Sequence, residues 1–140
     1  MDWSQFNRGV FLVNVLGVVY NPAKKTILIG LRENDPYLKD LTWSFPGGRP
    51  TYKDELEDSL KEQVKLKTGL DIIVKNAFFA KTYPENREFL SVYYHCEVSG
   101  GVEQAGEKFT EIKWVKPTDV QKYFTTSLHS KVLEYLKGLE

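Results

Sequence analysis

The chain has 140 residues, 41% hydrophobic and 14% aromatic, which is the size and composition of one domain with one core. Its 19 basic residues balance 19 acidic ones, so no sequence-independent pull draws it to nucleic acid or to an anionic membrane. The one cysteine, Cys96, excludes an internal disulfide, and no apolar run approaches the roughly 20 residues that span a bilayer.

The opening stretch, MDWSQFNRG, lacks the basic-then-apolar layout of a targeting segment, and the expected location is the cytoplasm. VFLVNVLGVVY, residues 10 to 20, is dense in β-branched residues and predicts a buried strand. NPAKK predicts a turn through Asn21 and Pro22, and TILIGLR, Thr26 to Arg32, predicts the returning strand. ENDPYLKDLT is polar and broken by Pro36, so it predicts a loop. WSF predicts a short strand ending at Pro46. The clearest helix is predicted from Asp54 to Thr68. Leu56, Leu60 and Val64 recur every four residues as a core stripe, Lys65 and Lys67 lie in the last turn, and Gly69 is the stop.

Residues 71 to 83 and 88 to 101 predict two strands with PENR as a hairpin tip. Glu111 to Val115 predicts a late strand, Pro117 opens a short helix through Phe124, and Leu128 to Leu139 predicts a last amphipathic helix with Leu128, Val132, Leu133 and Leu136 inward. Strands and helices mix without strict βαβ alternation, which predicts one domain with a mixed sheet and helices on its faces.

GRPTYKDELEDSLKEQVKLKTGL, Gly48 to Leu70, resembles a Nudix box, whose pattern is G-x5-E-x7-R-E-U-x-E-E-x-G-U with U a bulky apolar residue. Gly48, Val64, Gly69 and Leu70 stand at the G, U, G and U positions. The lead-in WSFPGG and the late EIKWV are also similar to that family, so the resemblance runs from about Val10 to Val115. It implies an α/β (α+β) Nudix fold, a mixed β-sheet sandwiched between helices. It also implies a site for a nucleotide or diphosphate compound, cut with Mg²⁺.

The chemistry positions differ from that pattern. Asp54 stands at the first acidic position and Glu62 at the arginine. Gln63, Leu66 and Lys67 stand where the pattern has its three remaining glutamates. Mg²⁺ takes oxygen ligands and neutralises phosphoryl charge. At about 100° per residue, positions 63, 66 and 67 share one sector of a helix. That sector carries an amide, an alkyl group and an ammonium, and the ammonium would repel a divalent ion.

Glu55, Asp58 and Glu62 form a second stripe, read as a solvated face rather than a relocated metal site. The residues singled out for chemistry are therefore Asp54, Glu62, Gln63 and Lys67. Gly48, Arg49, Arg32, Arg87 and Glu111 are singled out for contact with the ligand. No metal is expected. A surviving hydrolase would need Mg²⁺ held by a set drawn from Asp54, Glu62, Glu107 and Glu111. Tyr83, Tyr93 and Tyr94 could stack on a base, though alternating aromatics are more often core. His95 and Cys96 are adjacent in a strand, point to opposite faces and cannot share a metal. His129 stands alone.

The leading expectation is a binding pocket for a nucleotide or diphosphate compound with little or no hydrolysis. The alternatives are an active hydrolase with non-standard carboxylates and a protein or RNA interaction module. Nucleic acid and membrane partners are not expected, and a homodimer is an allowed assembly.

Overall fold

The computed structural model describes residues 4, 8–33, 42–125 and 128–140. Most of the loop predicted around Pro36 lies outside them. Strand β1 (Leu12–Asn21) turns into β2 (Thr26–Arg32) through Asn21, whose Oδ1 accepts from the Ala23 and Lys24 amides at 3.0 and 3.2 Å. Lys25 takes φ 53° to close this turn. The hairpin pairs at Tyr20–Ile27 and Asn21–Thr26 and then opens into a fork. Two short strands fill the fork. β3 (Trp43–Ser44) pairs with β2 at Gly30 and Leu31, and β4 (Gly47–Gly48) pairs with β1 at Leu16 and Val15. The Gly17 amide donates to the Pro46 carbonyl at 2.8 Å and holds the segment between them in place.

β7 (Phe109–Val115) runs antiparallel along the outer side of β2. On the other side of β1 lies β6 (Asn86–Gly101), parallel to it from Leu12–Phe89 to Tyr20–Glu97. Among the described residues β5 (Leu70–Tyr83) pairs only with β6 and lies at the edge, with four register shifts along the pair. Among the described residues the result is one mixed seven-stranded sheet covered by helices on both faces.

Helix α1 (Leu56–Thr68) covers one face. Leu60 and Val64 pack against Val15, Val19, Leu28, Leu70, Ile72, Tyr94 and Cys96. Each such fully buried side chain contributes roughly 1.5–3 kcal/mol. Gly69 ends the helix in the left-handed region at φ 74°, with its amide on the Lys65 carbonyl at 2.9 Å. The helix starts two residues later than its predicted start at Asp54, because Glu55 is extended at φ −63°, ψ 153°. Leu56 is 41% exposed and does not join the core stripe, because it opens the helix. Thr68 takes the fourth place in the stripe, its Oγ1 donating to the Val64 carbonyl at 2.7 Å.

The other face is covered by α2 (Val120–Tyr123) and α3 (Ser130–Lys137), which pack Val120, Val132 and Leu136 on Val18, Ile27, Ile29, Phe45, Tyr93 and Val115. Leu128 and Leu133 are half-buried at the margin. The helix predicted from Pro117 to Phe124 is a 3-10 turn, Pro117–Asp119, followed by α2. His129 does not stand alone on α3. It caps the helix, its Nδ1 accepting from the Lys131 amide at 3.0 Å, and its ring lies 4.7 Å from Phe79. No described helix is long and apolar enough to cross a membrane.

His95 and Cys96 do face opposite ways. His95 Nδ1 bonds the Tyr135 hydroxyl of α3 at 2.7 Å, and Cys96 is fully buried under α1. Burial pushes the Cys96 thiol up to about 12, with Glu57 adding to the rise and Lys61 opposing it. The thiolate is the reactive form, so Cys96 is expected to resist a thiol reagent in the folded protein and to react at the rate of unfolding. Fast labelling in native buffer would refute this packing. A raised folded pKa favours the protonated fold. Its contribution is therefore complete below the ordinary 9.0 and is lost as pH rises from there toward about 12.

Candidate functional site

The fork explains why two consecutive glycines stand at residues 47 and 48. A Cβ on Gly47 would strike the Val15 carbonyl and lie 2.9 Å from Leu16 Cα, both backbone atoms of β1. A Cβ on Gly48 would lie 2.7 Å from Gln63 Oε1. At Gly47 only bare backbone fits, because the obstacles are main-chain atoms of β1, whereas at Gly48 the obstacle is the end of the flexible Gln63 side chain.

Gln63 and Lys67 are one helical turn apart and both face β4. The Gln63 amide lies over Gly48, and the Lys67 ammonium donates to the Gly47 carbonyl. The Lys67 Nζ also lies 5.8 Å from the centre of the Phe109 ring, within reach of a cation–π contact. That ring in turn occupies the space where a Gly30 side chain would be. The chain after β6 closes around the end of α1. The Val102, Gln104 and Gly106 amides donate to the carbonyls of Gly69, Thr68 and Lys67 at 3.2, 2.8 and 2.9 Å. These bonds satisfy helix-end acceptors that would otherwise lack partners.

Of the residues singled out in the sequence, Gly48, Gln63 and Lys67 come together here. Arg49 follows β4 directly. Register places Arg32 at the end of β2, beside Phe109 of β7, and Arg87 near the start of β6, so all three arginines lie at the end of the sheet where β1 begins. Arg87 donates to Thr82 Oγ1 at 3.0 Å across the β5–β6 tip. Asp54 is not on the helix. It sits in the preceding turn, where Thr51 Oγ1 approaches it at 3.4 Å. Glu62 is exposed on the flank of α1, and Leu66 is 44% exposed at its margin. Glu107, at φ 50°, and Glu111 are exposed near the start of β7. Among the described residues no three His, Cys, Asp or Glu side chains converge on a point that could hold a metal.

The donor set on the β4-facing side of α1 does not fit Mg²⁺. It offers one neutral carbonyl oxygen and one positive charge, whereas a hard divalent cation needs several oxygens, usually with carboxylates among them. Tyr93 and Tyr94 are 2% and 5% exposed and serve the core, not a base. Tyr83 is half-buried, bonds Ser91 Oγ at 2.9 Å and carries the Lys81 ammonium 3.9 Å over its ring. Partial burial lowers the Lys81 pKa, and Glu85 opposes the shift.

Two partners in this site carried no sequence signal. The Gly47 carbonyl is backbone, and Phe109 reads as an ordinary strand residue. The Gly30 opposite it was the one available clue.

A NUDIX domain family model matches residues 10–136. A MutT-like protein of Streptomyces ambofaciens is 25% identical over 127 residues, which cover 90% of this chain and 77% of that protein. A NUDIX hydrolase from Nitrosomonas europaea superposes with a TM-score of 0.76 at 12% identity, over 91% of this chain and 71% of its own. An ADP-ribose pyrophosphatase from Streptococcus suis superposes with a TM-score of 0.68 at 19% identity, over 89% and 90%. At these identities the likeness of the two structures is one of fold.

Proposed function

From a chain that belongs to the NUDIX domain family, we propose that it binds a nucleoside-diphosphate-linked compound and hydrolyses it weakly or not at all. The observation that carries this reading is the pair Gln63 and Lys67, which places an amide and an ammonium against Gly48 and Gly47. Hydrolysis of a diphosphate by this fold relies on a divalent ion that neutralises charge and activates water. A site with one neutral oxygen and one cation supplies neither the ligands nor the net negative charge to hold it.

Family membership supports a diphosphate ligand, and the ADP-ribose pyrophosphatase among the fold neighbours makes ADP-ribose a sensible first probe. The three arginines at the start of β1 suit an anionic ligand, and Arg49, next to Gly48, is the one best placed to meet a phosphate through its planar fork. The competing reading is an active hydrolase using carboxylates from Asp54, Glu62, Glu107 and Glu111. It gains no support from the geometry, since no three of them gather at one point. An RNA module gains none from the balanced charge.

The test is turnover of ADP-ribose, nucleoside diphosphate sugars and dinucleoside polyphosphates in millimolar Mg²⁺ or Mn²⁺, followed as phosphate released by a coupled phosphatase. Rates are expected to stay at least about a thousandfold below the ~10 s⁻¹ of a median enzyme. Turnover near that median on any of these compounds would overturn the reading. Calorimetry on the same compounds checks that one of them binds.

A further inference from the structure

The chain has two histidines, and both meet α3. His129 stands at the N-cap in extended backbone, φ −61° and ψ 143°, and its Nδ1 accepts from the Lys131 amide at 3.0 Å. His95 lies on β6 beneath the helix, where its Nδ1 bonds the Tyr135 hydroxyl at 2.7 Å. The two contacts answer a proton differently. A backbone N–H only donates, so the cap exists only while His129 Nδ1 keeps its lone pair. A phenol hydroxyl both donates and accepts, so the Tyr135 bond survives protonation of His95 by exchange of roles. Protonated His95 also gains Glu97, whose Oε2 lies 3.7 Å from Nε2.

The surroundings of His129 do not offset the loss of its cap. Among the described residues no carboxylate pairs with it. Its ring packs on Phe79 of β5 at 4.7 Å between centres, and Phe79 lies against Tyr93 of β6. The charged residues next along these elements are Lys131 on α3 and Lys81 on β5, both cations, and the Lys81 ammonium sits over Tyr83. Glu97 of β6 is beside His95, and Asp119 pairs with Lys122 of α2 at 3.0 Å. A positive ring at a helix N-terminus also opposes the helix dipole.

We propose that the start of α3 is an acid-sensitive clasp. Protonation of His129 releases the Lys131 amide and loosens the first turn, while His95 keeps the rest of the helix on the sheet. The capped form binds one proton fewer than the open form, so falling pH favours opening. Val132, the residue after Lys131, shares a buried cluster with Phe45, two residues before Gly47. The turn that opens therefore backs the segment leading into β4.

The experiment compares the full chain with His129→Ala, which removes the cap, and His129→Asn, which supplies an acceptor that does not titrate. Melting is followed by scanning calorimetry at about pH 8 and about pH 5, the span over which an imidazole changes charge. Comparison at one pH cancels the carboxylates that the three proteins share. At the higher pH the native protein should melt about 3 °C above His129→Ala. At the lower pH that lead should vanish, while His129→Asn keeps its own lead at both. In proton–nitrogen NMR spectra the Lys131 amide of the native protein should shift over the same span, and that of His129→Asn should stay in place. A native lead that persists at the lower pH would overturn the inference, as would no lead at the higher one. A lead that His129→Asn also loses, or a Lys131 amide that does not move in the native protein, would overturn it too.

Discussion

Gly47→Ala is expected to lower the melting temperature by about 10 °C. The added methyl would meet the Val15 carbonyl and Leu16 Cα, which are backbone atoms of a central strand and cannot rotate aside. Overpacking against movable side chains costs typically 1–3 kcal/mol. A backbone clash belongs at or above the top of that range, and in a domain of this size each kcal/mol moves the midpoint by roughly 3–4 °C. The substitution also pushes the Gly47 carbonyl away from Lys67, so ligand binding should fall with stability. Gly100→Ala is the control, because a Cβ there would meet only Asp71 Oδ2 at an ordinary 3.7 Å. Scanning calorimetry of both variants decides it. A Gly47→Ala protein that melts within 2 °C of the Gly100→Ala control would mean that β4 does not lie between β1 and α1 as described.

Installing carboxylates at all three helix positions should create a metal site that no single change creates. Gln63→Glu alone leaves the Lys67 charge opposing the ion, and no metal-dependent shift in melting is expected from it. With Leu66→Glu and Lys67→Glu added, three acidic groups crowd one sector and the Gly47 carbonyl loses its donor. The triple variant should therefore melt below native in EDTA. Divalent ion then reverses the loss, by about 2.7 kcal/mol at a metal concentration one hundred times the dissociation constant. Groups that ligate one ion act as a unit, so the metal response of the triple variant should exceed the sum of the single responses. Manganese binding by electron paramagnetic resonance, with melting in EDTA and in Mn²⁺, reads this directly. An additive or absent response would show that this helix face does not point where a metal could sit.

Much of the fold was legible because its signals are local. Strand β2 runs from Thr26 to Arg32 as predicted, since the Asn21 turn bounds one end and polar Glu33 the other. The end of α1 at Thr68 followed from Gly69, which adopts the left-handed conformation the position requires. The start of α1 was less legible. Asp54 and Glu55 are compatible with a first turn by charge, but the chain is still extended at Glu55. Leu56 fits the periodic stripe by spacing, yet it is the first residue of the helix and stays partly in solvent.

The fork could not be read at all. That β1 leaves β2 after two pairs, takes β4 on that side and β6 on the other, is a matter of long-range register, which no window of sequence contains. The site shows the same division. Gln63 and Lys67 were singled out by the resemblance of the stretch Gly48 to Leu70 to the Nudix box, and helical spacing puts them in one sector. The direction in which they point was not legible, because what they meet is a strand earlier in the chain, Lys67 at Gly47 and Gln63 at Gly48.

The parallel pairing of β1 with β6 joins residues roughly 77 positions apart, Leu12 with Phe89 and Tyr20 with Glu97. At ribosomal rates of about 5–20 residues per second, the apolar β1 waits some 4–15 s for this partner to emerge. During that interval Val15, Val18 and Val19, all fully covered in the finished protein, have only the β2 hairpin and then α1 to shelter them. The nascent chain thus passes through a window in which a central apolar strand has one side open. Closing that long loop by β6 is the step that ends its exposure to other chains.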